Sequence, residues 1–264
     1  MGIANYLRLF GLFVRTQFQY EIEYRTNLAL QVVEMLAFSS TSVGAVLVLF
    51  SYTQTLNGWT LSQMLVLLGV FYLVWGVSDL IFDPSMTQFM EQVRLGTLDF
   101  TLLKPANSQF LVTLRYQALV QVAQVALGAV VLAVGLTRLG QAITLGNALA
   151  FLLTLACGLV LVYAILLVLA TLSFWFVRVD NIMVIYAAFF DAGRFPVDVY
   201  PGWLRLTLST VVPIGVAVTV PSQAISGRLD PLSLLGTVAG TALAFAFASW
   251  FWRRGLRSYT GASA

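Results

Sequence analysis

Five long apolar stretches, each bounded by charged or turn-forming residues, dominate the chain: residues 28–52, 61–82, 112–137, 143–168 and 233–252. A helix needs about 20 apolar residues to cross a hydrocarbon layer ~30 Å thick, and each stretch reaches that length. Between residues 176 and 230 the pattern breaks up. Residues 182–190 are apolar but short, and residues 203–220 are interrupted by Pro213 and closed by Pro221. Two amphipathic helices are predicted outside the spans. In residues 1–27, Ile3, Leu7, Phe10, Phe13, Val14 and Phe18 recur at helical spacing on one stripe, which predicts an interfacial helix rather than a signal peptide. The other begins where Asp83 suits a cap and Pro84 a first helical position. Met86, Phe89, Met90 and Val93 follow at i, i+3, i+4 and i+7, and Gly96 reads as the stop. Periodicity leaves open whether this second helix rests on lipid headgroups or docks a partner protein.

Composition removes any soluble alternative. The 264 residues are 59% hydrophobic and 9% charged, with a mean hydropathy of +0.89, where a soluble domain carries about 25% charge. The fold class is therefore all-α integral membrane, one transmembrane domain over residues 1–264, with room for roughly six crossings. With no histidine, the chain cannot supply the usual haem ligand, an HExxH zinc site or a histidine base. The lone Cys157 allows neither an internal disulfide nor a CxxC pair. No GxxxxGK[ST] loop occurs, so ATP, if used, is held by another chain. No GxSxG or GxGD constellation supports an intramembrane enzyme.

Charge orders the ends of the spans. If a span begins at Arg178 and ends at Pro196, and residues 201–229 only dip into the membrane, both termini share a face. That face carries Arg8, Arg15, Arg25, Arg94, Lys104, Arg115, Arg178, Arg253, Arg254 and Arg257, against Arg138, Arg194, Arg205 and Arg228 opposite. The positive-inside rule makes the richer face cytoplasmic. If residues 203–220 cross instead, as one proline-kinked span, Arg194 and Arg205 move inside and the asymmetry grows. The net charge of +3 is spread over membrane flanks and gives no nucleic-acid patch.

Polar residues at membrane depth are candidates for a substrate path. Glu34 stands near the start of the first span, where a charge costs about 2.5–3.5 kcal/mol at the centre and less near the interface. Neutralisation among headgroups by Arg25 is the competing reading. Gln117, Gln121 and Gln124, at i, i+4 and i+7, would share one face of the third span, lining a path or bonding neighbouring helices. Asp79 and Asp83 read as anchors at the cytoplasmic interface. Gly236, Gly240, Ala244 and Ala248 form a small-residue stripe expected to pack against another helix of the same subunit.

Two longer motifs carry a family resemblance. Residues 94–105, Arg94-Leu95-Gly96-Thr97-Leu98-Asp99-Phe100-Thr101-Leu102-Leu103-Lys104-Pro105, resemble the "R-x-G-T-L-D-x-x-L-x-K-P" signature after the second span of one branch of type 2 ABC exporter permeases. Gly193-Arg194-Phe195-Pro196, Tyr200-Pro201-Gly202-Trp203-Leu204-Arg205, Pro213 and Pro221 resemble that family's "FP…P-x-W-L…P" pattern. The resemblance implies that residues 83–110 form a cytoplasmic coupling loop resting on an ATP-binding subunit, through Met86, Phe89, Met90, Val93, Arg94, Gly96, Thr97, Leu98, Asp99, Phe100 and Lys104. It implies that residues 196–230 form an outer re-entrant hairpin built on Pro196, Pro201, Trp203, Pro213 and Pro221. It further implies a bacterial cytoplasmic membrane protein with both termini inside, a second permease copy or homologue, and two ATP-binding subunits that hold the ATP and Mg. A transporter driven by an ion gradient is the alternative; it predicts internal repeats, and the two halves show no self-similarity.

Overall fold

The computed structural model describes residues 3–176 and 180–259. The fifth span expected to start at Arg178 therefore begins outside the described residues. In chain order the helices are α1 (Ile3–Glu23), α2 (Arg25–Tyr52), α3 (Leu61–Val77), α4 (Asp83–Arg94), α5 (Asp99–Leu102), α6 (Ser108–Leu114), α7 (Val122–Leu139), α8 (Leu145–Thr171), α9 (Asp180–Asp191), α10 (Gly202–Leu206), α11 (Ile214–Ile225) and α12 (Pro231–Ser258). The single β-bridge among the described residues joins Leu56 to Trp59 in a tight turn. Five helical stretches are long and apolar enough to cross a membrane: Arg25–Tyr52, Leu61–Arg94, Leu119–Leu139, Leu145–Phe174 and Pro231–Ser258.

The second of these corrects the expected boundary at Asp83. A π-helical turn, Ser78–Phe82, joins α3 to α4 without a cap, and Asp83 sits in helical conformation at φ −59°. Leu61–Arg94 is one 34-residue helix, about 50 Å long, so it outreaches the bilayer by about 20 Å. Pro84 has no N–H to give the Leu80 carbonyl four residues back. That carbonyl instead accepts from the backbone N–H of Ala118 at 3.1 Å.

The third span is correspondingly broken. Helix α6 ends at Leu114, residues 115–118 are not helical, and a 3-10 turn at Leu119–Gln121 opens α7. The Ser85 hydroxyl donates to the Tyr116 carbonyl and accepts from the Tyr116 N–H, both at 2.8 Å. From α1, the Glu21 carboxylate accepts the Leu119 N–H at 2.6 Å, which serves the new helix start as a cap would. Gln117, Gln121 and Gln124 therefore do not share a helical face. Gln117 is buried in the break, where its amide donates to the Leu114 carbonyl. Gln124 is buried on α7, and Gln121 is half-buried in the 3-10 turn.

The core is α3 sandwiched between α7 and the α8–α11 pair. Glycines let α3 and α7 touch backbone to backbone. A Cβ on Gly128 would lie 2.7 Å from the Leu73 nitrogen, and one on Gly135 2.6 Å from the Val66 nitrogen. Met64, Val66, Leu67, Leu68, Val70 and Phe71 are fully buried around this contact.

Between α8 and α12 the chain changes ends of the bundle. At Phe174 it lies against Phe89, Trp252 and Tyr259, the end that also holds residues 83–118. At Asp198 its carbonyl accepts from Asn57 in the opposite loop at 2.7 Å. The 12-residue α9 covers about 18 Å of that rise, shorter than the expected span. Gly202–Val211 and Ile214–Ile225 then meet at 90°, with Pro213 at the bend. After α11, Arg228 donates to Gly58 and Gln63 and lies over the Trp59 ring at 4.9 Å. Residues 198 and 228 thus reach the same loop, and the bend between them points into the bundle. Pro221 stands inside α11 without breaking it.

A candidate coupling shoulder and an apolar cavity

Helix α4 ends in a Schellman motif. Gly96 takes φ +67°, its N–H reaches the Val93 carbonyl, and the Thr97 N–H reaches the Gln92 carbonyl at 2.9 Å. The Thr101 hydroxyl then donates to the Gln92 side chain at 2.9 Å and Leu98 is fully buried. These bonds fold residues 95–104 back against α4 as a shoulder rather than a free loop. Asn107 closes it, capping α6 through the Phe110 N–H at 3.2 Å, and its own N–H meets the Tyr6 hydroxyl of α1.

The stripe on α4 points inward. Met86, Phe89 and Met90 are buried, and the Phe89 ring lies 5.4 Å from Phe174 and 5.1 Å from Trp252. With Leu98, these residues are packed inside this chain and present no face to a partner. Val93 is half-buried beside them. The accessible side of the shoulder is a different set: Leu95 at 60% exposure, Phe100 at 72% and Leu103 at 81%, with Arg94, Thr97 and Lys104 also exposed and Asp99 half-buried. The Arg94 guanidinium forms a bidentate pair with Glu91 at 2.7–2.8 Å. Burial and the nearby Arg115 charge push Lys104 below the usual lysine pKa. An apolar knob with basic flanks thus stands on the most deeply buried of the candidate spans. Periodicity gave α4 a stripe but could not say which way it faces; Leu95, Phe100 and Leu103, set by the Gly96 turn, carried no helical period to reveal them.

The second feature is a cavity of about 950 Å³ between α8, α9, the 90° bend and α12. Leu161 and Val168, Tyr186 and Phe189, and Pro213 line three of its sides, and Gly240 of α12 the fourth. Gly236 and Gly240 meet nothing within 4 Å. The small-residue stripe of α12 therefore opens space at these positions instead of seating a helix, and only Ala248, further along, is fully buried.

The remaining candidates lie apart from both features. Glu34 is exposed on α2, and no hydrogen bond or ion pair reaches it among the described residues. Pro196 and Pro221 are buried, whereas Pro201 and Trp203 are exposed. Arg194, noted in the sequence only for its charge and motif position, is enclosed by the Phe38, Trp75 and Phe71 rings at 4.5, 5.4 and 5.5 Å and bonds Asp191 at 2.9 Å. Only contacts across three helices reveal that cage.

Helices of membrane-spanning length thus pack around an apolar cavity, with a shoulder protruding at one end, the layout of a multi-pass membrane protein. A family model described as ABC-2 family transporter protein matches residues 36–263, and the chain belongs to that family. It is a membrane subunit of an ABC transporter, a class that works with ATP-binding partner subunits. No curated protein matches the chain at a significant level.

Proposed function

We propose that this chain is the permease of an ATP-driven exporter of the bacterial cytoplasmic membrane, working as a pair with a second copy or a homologue and with two ATP-binding subunits that hold ATP and Mg. The end carrying residues 83–118 is assigned to the cytoplasm. Arg8, Arg15, Arg25, Arg94, Lys104, Arg115, Arg253, Arg254 and Arg257 belong to it, against Arg138, Arg205 and Arg228 at the far loops. Both termini are then cytoplasmic, and residues 196–230 form an outer re-entrant hairpin entered and left beside Asn57 and Gly58.

The observation that carries this reading is the exposed Phe100–Leu103 knob, tied through Leu98 and Thr101 to a helix that runs unbroken across the membrane. A push on the knob from an ATP-binding subunit is transmitted by Leu61–Arg94 and by the Phe89–Phe174–Trp252 cluster to α8 and α12, the helices flanking the cavity. The cavity wall favours a lipophilic or amphiphilic cargo. Residues 86, 89, 90 and 98 act here as the knob's foundation, and Leu95, Phe100 and Leu103 as its contact surface.

Co-purification with candidate ATP-binding subunits tests the proposal. Phe100→Asp with Leu103→Asp is expected to abolish capture of the ATPase while leaving the chain folded in the membrane, because both side chains are already in solvent. Equal capture by wild type and variant overturns the assignment of the knob. Uphill transport that persists without nucleotide and collapses with the proton gradient overturns the exporter reading itself.

A further inference from the structure

We infer that the cavity holds an acyl chain of an anionic phospholipid from the inner leaflet, whose phosphate is taken by Arg254 and Arg257 at the end of α12. The inference deepens the cavity reading given above by naming its ligand, and it rests on the assignment of that end to the cytoplasm.

The cavity opens to the outside of the bundle between α9 and α12. Leu243 and Phe247 on one lip, and Ile185 on the other, line it and are exposed as well. At membrane depth such a mouth faces lipid. The wall suits hydrocarbon and not a headgroup, because its threonine hydroxyls are spent. Thr210, Thr237 and Thr241 donate to the Leu206, Ser233 and Thr237 carbonyls four residues back. An amphiphile that enters therefore leaves its polar end elsewhere.

The rest of α12 supplies that place. Gly240, Leu243, Phe247, Trp250, Arg254 and Arg257 share one exposed face, and along it the chemistry changes in the order of a lipid seen lengthwise. Gly240, with nothing within 4 Å of an added Cβ, stands in the cavity. Phe247 and Trp250 follow at the mouth, their rings 5.8 Å apart, in the belt position that aromatic side chains take near the interface. Arg254 and Arg257 come last. Neither forms an ion pair among the described residues, whereas the neighbouring Arg253 is turned to the Ser249 carbonyl. Two guanidinium groups one turn apart with no carboxylate are matched by a phosphate, which each can bind through two N–H donors. The length agrees. Fourteen residues separate Gly240 from Arg254, about 21 Å along a helix, and half a bilayer with its headgroups is roughly 20–22 Å thick. A lipid with its phosphate at Arg254 thus ends its chain at Gly240. An acidic soluble partner would meet the arginines and leave the cavity empty; a phospholipid accounts for both.

The test uses the chain co-expressed with the ATP-binding subunits and reconstituted into phosphatidylcholine vesicles. These are doped with a lipid carrying a photoactivatable diazirine near the end of an acyl chain, either phosphatidylglycerol or phosphatidylcholine, and labelled residues are located by mass spectrometry after illumination. Phosphatidylglycerol is expected to label residues 236–247 and 182–189 several-fold more than phosphatidylcholine does. Arg254→Gln with Arg257→Gln is expected to abolish that preference and Arg253→Gln to leave it intact. Gly240→Trp, which fills the cavity, is expected to lower labelling there by both lipids. Equal labelling by the two lipids, or a preference that survives loss of both arginines, overturns the headgroup site. Absence of labelling at the cavity, the outcome if a second protein chain covers its mouth, overturns the whole inference. Capture of the ATP-binding subunits is read on the same samples. Cavity labelling without them keeps the lipid site and removes the exporter; their capture without cavity labelling does the reverse.

Discussion

Two prolines each deprive a backbone carbonyl of its helical donor, and the fates of those carbonyls differ. The Leu80 carbonyl, freed by Pro84, takes the Ala118 N–H and so holds the break in the third span. The Ala217 carbonyl, freed by Pro221, faces α8, where a Cβ on Gly158 would lie 2.5 Å from it. Neither partnership has a local sequence signature: Pro84 reads as a helix start because a proline at a first turn and a proline inside a continuing helix look alike. Glu21 completes the break. Without its carboxylate the Leu119 N–H loses its acceptor beneath α1, so Glu21→Ala is expected to cost about 1–3 kcal/mol, read as a lower melting temperature in detergent, and Glu21→Gln to cost less because an acceptor oxygen remains. Burial raises the Glu21 pKa against the opposing pull of the Leu119 and Val120 N–H groups. The folded state therefore binds this proton more tightly than the unfolded one. The group's contribution to stability falls as pH rises from the ordinary carboxylate range through the raised value. The Gln variant should remove that part of the pH dependence.

At the scale of the element, spans were legible and faces were not. Runs of apolar residues locate α2, α3, α8 and α12 because the bilayer sets a length that sequence must meet. The Gly96 stop was equally legible, since a left-handed C-terminal turn demands glycine. The α4 stripe, by contrast, was read correctly as a stripe while its partner was out of reach. Phe174 and Trp252 lie far along the chain and at the ends of other helices. The α3–α7 contact is the other hidden feature. Gly69 and Gly76 on one helix and Gly128 and Gly135 on the other recur every seven residues, but apolar neighbours on all sides mask the period. Gly128→Val places a branched side chain where the Leu73 backbone stands at 2.7 Å. Overpacking of this kind costs about 1–3 kcal/mol or more; the expected outcome is a lower SDS-denaturation midpoint, whereas Gly236→Val, facing open cavity, should leave it unchanged.

On the whole-molecule scale the proposed hairpin over residues 196–230 is supported by the loop holding Asn57 and Gly58. A single kinked span would carry residues 202 and 228 to opposite faces, yet Asp198 and Arg228 both bond to that loop. The 90° bend at Pro213 instead places the apex of a hairpin against the cavity. Charge alone leaned toward the kinked span, because moving Arg194 and Arg205 inside enlarges the asymmetry. The proposed hairpin accommodates Arg194 all the same, because three aromatic faces and Asp191 surround its charge. In a Cys157→Ala background, Gly202→Cys and Arg228→Cys are expected to react with a membrane-impermeant maleimide added outside intact cells, and Lys104→Cys only after permeabilisation. Labelling of Gly202→Cys and Arg228→Cys from opposite sides would restore the kinked span.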